Sequence, residues 1–143
     1  MSPELEEIYN HYLSLSEKER VRAFYISSES FMNYLDNRGV HSELATQLFI
    51  AILSIFVDAD NGVSDAELSL INEALKVQMS KKELAFLTEQ CGSNKDLINR
   101  LDEIIDALPN LIKADVVVIG LSLISSDGEL TDREIEIFEK ILN

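Results

Sequence analysis

The chain has few of the residues that interrupt helices or cross-link a fold. Its 143 residues include 2 prolines, 5 glycines, 1 cysteine and no tryptophan. Proline and glycine are unfavourable inside helices and common in tight turns, so their scarcity favours long helices over many hairpins. The lone Cys91 excludes an intramolecular disulfide framework and suits a reducing compartment.

Basic residues are also scarce. The chain has 12 Lys and Arg against 26 Asp and Glu, a net charge of −14. Binding to nucleic acid or to anionic lipid needs clusters of Lys and Arg, so neither is an expected partner. The apolar runs 48–57 and 116–124 are shorter than the roughly 20 residues that span a bilayer, and no signal peptide is evident. We therefore expect a cytoplasmic protein without direct membrane insertion, whose partner is a protein with a basic patch.

Local signals predict about eight helices. Capping boxes, in which a Ser or Thr is followed three residues later by Glu, predict four helix starts, and Ser2-Pro3 predicts a fifth. We expect Gly39 and Gly92 to end helices and Pro109 to break one. The four boxes are Ser16–Glu19, Ser64–Glu67, Ser80–Glu83 and Thr131–Glu134. The sequence therefore predicts an all-α helical bundle of about seven to eight helices.

Apolar spacing predicts which helices are buried. The run from Leu48 to Val57 is apolar on nearly every side, which is typical of a helix surrounded by others. A buried strand is the competing interpretation, but the length from Ser42 onwards favours a helix. In the first two helices, Leu13 and Tyr25 fall on the predicted inward faces.

The second half of the chain repeats part of the first. Shifted by 67 residues, Asp60 aligns with Asp127, Glu67 with Glu134, and an apolar run precedes both. We interpret this as an internal duplication within a single domain 1–143. Its two helix-loop-helix repeats cover about 42–76 and about 110–143, and the helices of residues 3–39 are expected to form an extra layer.

The two acidic segments also resemble a known family. Ala59-Asp-Asn-Gly-Val-Ser-Asp-Ala-Glu67 and Ser126-Asp-Gly-Glu-Leu-Thr-Asp-Arg-Glu134 are similar to the ADGxxSxxE-like segment that TerB-like domains, named from tellurite-resistance proteins, carry twice. The resemblance covers about residues 40–143 and departs at Asn61, which is inserted, and at Ser126, which replaces alanine. It implies a bundle of about seven helices, acidic loop residues suspected as metal ligands, and an accessory role in tellurite or other stress response in bacteria.

The acidic segments offer hard oxygen ligands, which suit calcium, magnesium or manganese better than zinc. The spacing does not fit an EF-hand in either copy. Helix capping alone also explains Ser64, Glu67, Thr131 and Glu134, so both interpretations stay open. The candidate metal ligands are Asp58, Asp60, Asp65, Glu67, Asp127, Glu129, Asp132 and Glu134.

Signals for catalysis are weak. His11 and His41 lack zinc-ligand spacing, Cys91 falls on an inward helix face, and there is no glycine-rich phosphate loop. We therefore predict a non-enzymatic TerB-like accessory protein that binds a divalent cation through its two acidic loops, with no other cofactor. The alternative is a metal-independent acidic interaction module, adaptor or co-chaperone-like, that binds a basic patch on another protein.

Overall fold

The computed structural model describes residues 1–57, 63–93, 95–127 and 130–142, without the side chains of residues 92–93, 95–99 and 127. Over these ranges the chain forms eight α-helices and no strand. The predicted all-α bundle of seven to eight helices is confirmed. The helices are α1 Pro3–Ser14, α2 Glu17–Asn37, α3 Ser42–Phe56, α4 Asp65–Leu75, α5 Lys81–Ser93, α6 Lys95–Asp106, α7 Asn110–Asp127 and α8 Asp132–Leu142.

Helix caps form where the sequence predicts them. The Ser2 hydroxyl accepts a hydrogen bond from the Leu5 amide at 3.2 Å, with Pro3 in the first turn. In the Ser16 box, the hydroxyl accepts from the Glu19 amide at 3.2 Å, and the Glu19 carboxylate accepts from the Ser16 amide at 3.0 Å. Such caps satisfy amides that have no partner within the helix. The dihedral φ of +76° at Gly39 places it in the left-handed region, as expected of a helix-ending glycine.

Some local predictions are wrong. Helix α5 continues through Gly92 to Ser93. Leu13 and Tyr25 are 41% and 42% exposed, because the core covers only part of the apolar faces of α1 and α2. Lys76 ends α4 in the left-handed conformation, with a φ of +55°, which is uncommon for a residue other than glycine.

The longest helix, α2, is part of the core. It packs extensively against α7 and also contacts α3 and α4. Arg20 Nε donates to Ser125 Oγ at 2.9 Å, and Ser30 Oγ donates to Asp115 Oδ2 at 2.6 Å. These two bonds show that α2 and α7 run antiparallel. Residues 3–39 therefore contribute to the same hydrophobic core as the two repeats.

The second helix of each repeat has the same bounds after the shift of 67 residues. Helix α4 covers Asp65–Leu75 and α8 covers Asp132–Leu142, each with 11 residues. The apolar helices α3 and α7 precede them, and α3 also supports α5 and α6. No helix in the described part of the chain is long and apolar enough to cross a membrane.

Candidate functional site

The eight predicted metal ligands fall into two groups. Asp58, Asp60 and Glu129 lie outside the described residues, and so does the side chain of Asp127. The prediction for these four is therefore neither supported nor contradicted. The side chains that the structure places are Asp65, Glu67, Asp132 and Glu134.

The two glutamates cap their own helices. Glu67 Oε1 accepts from the Ser64 amide at 3.0 Å, and Glu134 Oε1 accepts from the Thr131 amide at 3.0 Å. Both side chains are buried, at 3% and 9% exposure. In the second copy the Thr131 hydroxyl also lies 2.8 Å from Glu134 Oε1. One oxygen of each carboxylate is thereby engaged in local helix capping.

The two aspartates lie in the first turns of α4 and α8 and are exposed. Asp65 Oδ1 lies 2.7 Å from Lys81 Nζ at the start of α5, with 91% of the Asp65 side chain exposed. An ion pair so open to water contributes little to stability. Among the described residues, no three His, Cys, Asp or Glu side chains come together in a group able to hold a metal ion. The metal site stays a prediction that depends on residues 58, 60, 127 and 129.

A cleft lies between α8 and the α5–α6 pair. It has a volume of about 1120 Å³, and residues at the end of α3 and just before α4 also line it. The apolar residues that line it come from the end of α3, the α3–α4 connection, α5, α6 and α8. They are Ile55, Val57, Val63, Ala85, Leu101, Ile105, Ile137 and Ile141.

The charged residues of this cleft are divided between its two walls. The α5–α6 wall carries Glu89, Asp102 and Asp106, and the α8 wall carries Arg133, Glu136 and Lys140; all six are exposed. One ion pair crosses the cleft, between Lys140 Nζ and Asp102 Oδ2 at 3.2 Å. Among the described lining residues, the charged side chains of the α5–α6 wall are thus all acidic, and the cations lie on α8.

The remaining polar groups of the cleft are bound to their own helices. Ser54 Oγ donates to the Ala51 carbonyl at 2.7 Å, and Thr88 Oγ1 donates to the Ala85 carbonyl at 3.0 Å. No histidine or cysteine is among the described residues that line the cleft. A nucleophile needs an adjacent base to be activated, and these lining residues supply no such pair. The cleft offers apolar contact area with charged edges.

The histidines and the cysteine lie in unrelated places. His11 packs edge-on against Tyr12, while His41 caps α3 through Nδ1, which accepts from the Glu43 amide at 3.3 Å. Cys91 is buried, and its Sγ lies 3.8 Å from the Gln47 carbonyl oxygen. Desolvation raises the pKa of this thiol, which makes it a poor nucleophile. The interpretation of Cys91 as a core residue agrees with this environment.

The cleft was not among the features predicted from the amino-acid sequence. Its signal was present in the strong amphipathicity of α6 and α8, whose apolar stripes predict two buried faces. The stripes could not show that α6 and α8 stand apart, because spacing along one helix carries no information about its neighbours. Comparison of the chain with protein-family models, with curated proteins and with solved structures gives no match.

Proposed function

We propose that the protein is a non-enzymatic interaction module, and that the cleft between α8 and the α5–α6 pair binds a segment of another protein. The observation that carries this proposal is an open cleft with an apolar interior and charged edges. Ala85 is exposed and Ile55, Ile137 and Ile141 are partly exposed, whereas Val57, Val63, Leu101 and Ile105 form the buried part of the lining. Partly exposed apolar side chains with polar residues around them are typical of surfaces that bind other proteins. The net charge of −14 favours a partner with basic residues.

The chemistry of the lining supports binding over catalysis. The two hydroxyls of the described lining, on Ser54 and Thr88, donate to carbonyls of their own helices. Apart from them, the polar side chains are carboxylates and cations at the exposed edges of the walls. Binding through apolar contacts needs no further group in the cleft.

The TerB-like resemblance adds the context of the proposal. Proteins of that family are accessory proteins of tellurite or other stress response, so the module would act there through its partner. The acidic segments at residues 59–67 and 126–134, which carry the resemblance, adjoin the cleft in sequence: Val57 lies just before the first, and Val63 within the first and Arg133 within the second line the cleft. The apolar contacts of the cleft do not depend on a cation bound by these segments.

Quantitative affinity capture with single-residue variants tests the proposal. Three baits are used in the cells that produce the protein: the unaltered chain, the Ile137→Asp variant and the Leu111→Asp variant. Each capture is repeated in the presence of a chelator. Ile137 lines the cleft, whereas Leu111 lies at the start of α7, outside the cleft lining, and is 82% exposed. An aspartate in the cleft would lose its solvation when a partner covers it, so a bound protein should be depleted at least about tenfold.

The control separates specific binding from general apolar adhesion. A partner of the cleft is retained by Leu111→Asp and lost by Ile137→Asp, with or without the chelator. Melting curves verify that both variants are folded. Proteins recovered equally with all three baits would show that the cleft is not the binding surface.

A further inference from the structure

Equivalent helix faces are buried to different extents in the two halves of the molecule. In α4, Leu70 and Ala74 are each 3% exposed. Shifted by 67 residues, their counterparts in α8 are Ile137 and Ile141, which are only partly buried and line the cleft. The face that is buried in the first half is therefore partly exposed in the second.

The neighbouring helices explain this difference. In the first half, α2 precedes the apolar helix α3 and packs directly against α4. In the second half, α6 precedes the apolar helix α7 in the same order, yet α6 and α8 are not among the closely packed helix pairs of the described chain. The cleft lies between these two helices. The cleft therefore has the place in the second half that the α2–α4 contact has in the first.

The residues of each wall form stripes along a helix. On α8 they follow the spacing i, i+3, i+4, i+7 and i+8, which is one face over two turns. On α5 they follow i, i+3 and i+4, so a third helix could lie along the groove and contact both walls. The stripe on α8 extends over roughly 12 Å at 1.5 Å per residue. The residues of the α8 stripe are Arg133, Glu136, Ile137, Lys140 and Ile141.

The cleft also has room for a helical segment. Its volume is about 1120 Å³, close to the upper end of the roughly 300–1,000 Å³ typical of small-molecule sites. Insertion of the apolar face of an amphipathic helix into a groove between helices is a recurrent mode of recognition. A helix buries apolar area without leaving backbone amides and carbonyls unpaired, which an extended segment in this groove would not.

The charged residues of the cleft predict which charges the bound helix should carry. The wall formed by α5 and α6 is acidic at Glu89, Asp102 and Asp106, so the edge of the incoming helix that faces it should be basic. The Lys140–Asp102 ion pair currently crosses the cleft, with side chains 54% and 77% exposed. Because an exposed pair is worth little, a Lys or Arg of the partner can take the place of Lys140 beside Asp102 at small cost.

We propose that the cleft between α8 and the α5–α6 pair binds an amphipathic helix of another protein, with its apolar stripe on Ile137 and Ile141 and a basic edge on the α5–α6 wall. This inference rests on the proposed function and names the kind of segment bound. The helix supplies the neighbour of α8 that α2 supplies to α4. Binding replaces the Lys140–Asp102 ion pair with a pair between Asp102 and the partner.

Fluorescence anisotropy with designed peptides tests the inference. The probe is a labelled peptide of about 16 residues, long enough to form helix on the surface, with leucines at i, i+3, i+4 and i+7 and lysines along one edge. A second peptide carries glutamates in place of the lysines, and a third has the composition of the first in scrambled order. Full-length protein should bind the first peptide at least about tenfold more tightly than either of the others, a difference that several charge pairs and an ordered apolar face can supply.

Charge variants keep the test independent of folding defects. Glu89→Lys combined with Asp106→Lys changes two exposed residues, so the fold should be retained. This variant should bind the lysine peptide more weakly and the glutamate peptide more tightly than the unaltered protein does. Ile137→Asp should weaken the lysine peptide by about tenfold or more, while Leu111→Asp should bind as the unaltered protein does.

Other results overturn the inference. Equal binding of the scrambled peptide would indicate apolar adhesion, and unchanged preference in the double charge variant would place the peptide elsewhere. A dimer in sedimentation that Ile137→Asp converts to monomer would identify a second copy of the chain as the occupant. If capture from cells depends on Ile137 while no helical peptide binds, the helix is excluded and the interaction module stands; if neither depends on Ile137, both proposals fail.

Discussion

Phe56 of α3 and Phe138 of α8 stack with ring centroids 5.1 Å apart and planes inclined by 17°. Both rings are buried, at 1% and 0% exposure. They lie against Gly120 of α7, where an added Cβ would be 2.6 Å from Phe56 Cε1 and 2.9 Å from Phe138 Cε1. The ring pair thus joins the first helix of one repeat to the second helix of the other. The absence of a side chain at Gly120 makes this close packing possible.

Gly120→Ala should lower stability by about 1–3 kcal/mol, because its methyl group cannot fit beside the two rings without displacing them. In an uncrowded helix the same change would raise stability by about 1 kcal/mol, so the sign of the effect is decisive. Urea denaturation of the variant and of the unaltered protein measures the difference in their free energies of unfolding.

Removal of the crowding ring provides the control for Gly120. Phe56→Leu should itself destabilise the protein, yet in its background Gly120→Ala should cost less than in the unaltered chain. Additive effects of the two substitutions would show that the contact with Phe56 does not cause the loss.

Ser64→Ala should destabilise the protein by about 1 kcal/mol, since the Ser64 hydroxyl accepts from the Glu67 amide at 3.0 Å at the start of α4. Ser69, exposed in the middle of α4, gives the matched control. Ser69→Ala should leave stability unchanged or slightly raised, because alanine is the better helix former. A comparable loss at both positions in thermal unfolding would contradict the role of the cap.

Two buried serine hydroxyls, on Ser28 and Ser122, have no hydrogen-bond partner among the described residues. Ser122→Ala should therefore keep or raise the free energy of unfolding, because it removes a polar group that burial penalises. Ser125→Ala is the contrasting variant, since Ser125 Oγ accepts from Arg20 Nε at 2.9 Å. Loss of that charged hydrogen bond should cost about 1.5–3 kcal/mol in the same denaturation experiment.

The Ser16 capping box predicts a dependence on pH. Hydrogen bonds from the Ser16 backbone amide and hydroxyl lower the pKa of Glu19 below its ordinary value of 4.5. A carboxyl with a lowered folded pKa adds stability above its unfolded pKa and loses that contribution as the pH falls through the folded pKa. Glu19→Gln retains an acceptor but not the charge. Its stability deficit at pH 7 should shrink as the pH is lowered through and below 4.5, and a deficit constant with pH would contradict the assignment.

The predicted metal site can be tested by thermal unfolding with calcium, magnesium, manganese and zinc. If the acidic segments bind a hard cation, at least one of the first three should raise the melting temperature. Asp60→Asn combined with Asp127→Asn should abolish that rise. Glu67 and Glu134, whose carboxylates accept hydrogen bonds at the helix starts, are left unchanged in this variant. No change at millimolar metal, with the double variant melting like the unaltered protein, would exclude the site.

Local chemistry by itself determined most of the secondary structure. The capping boxes at Ser16, Ser64, Ser80 and Thr131 form as predicted, because each depends on contacts within four residues. The spacing of apolar residues likewise predicted eight helices and the buried character of α3. The equal bounds of α4 and α8 follow from the same repetition of caps.

Only the tertiary structure decided which faces meet. The exposure of Tyr25, the stacking of Phe56 on Phe138 and the separation of α6 from α8 all depend on how helices distant in sequence pack. The buried face of α4 and the partly exposed face of α8 arise from closely similar local patterns. Side-chain volume at each contact and the neighbours available determine whether such a face is covered, and neither is encoded in the spacing along one helix.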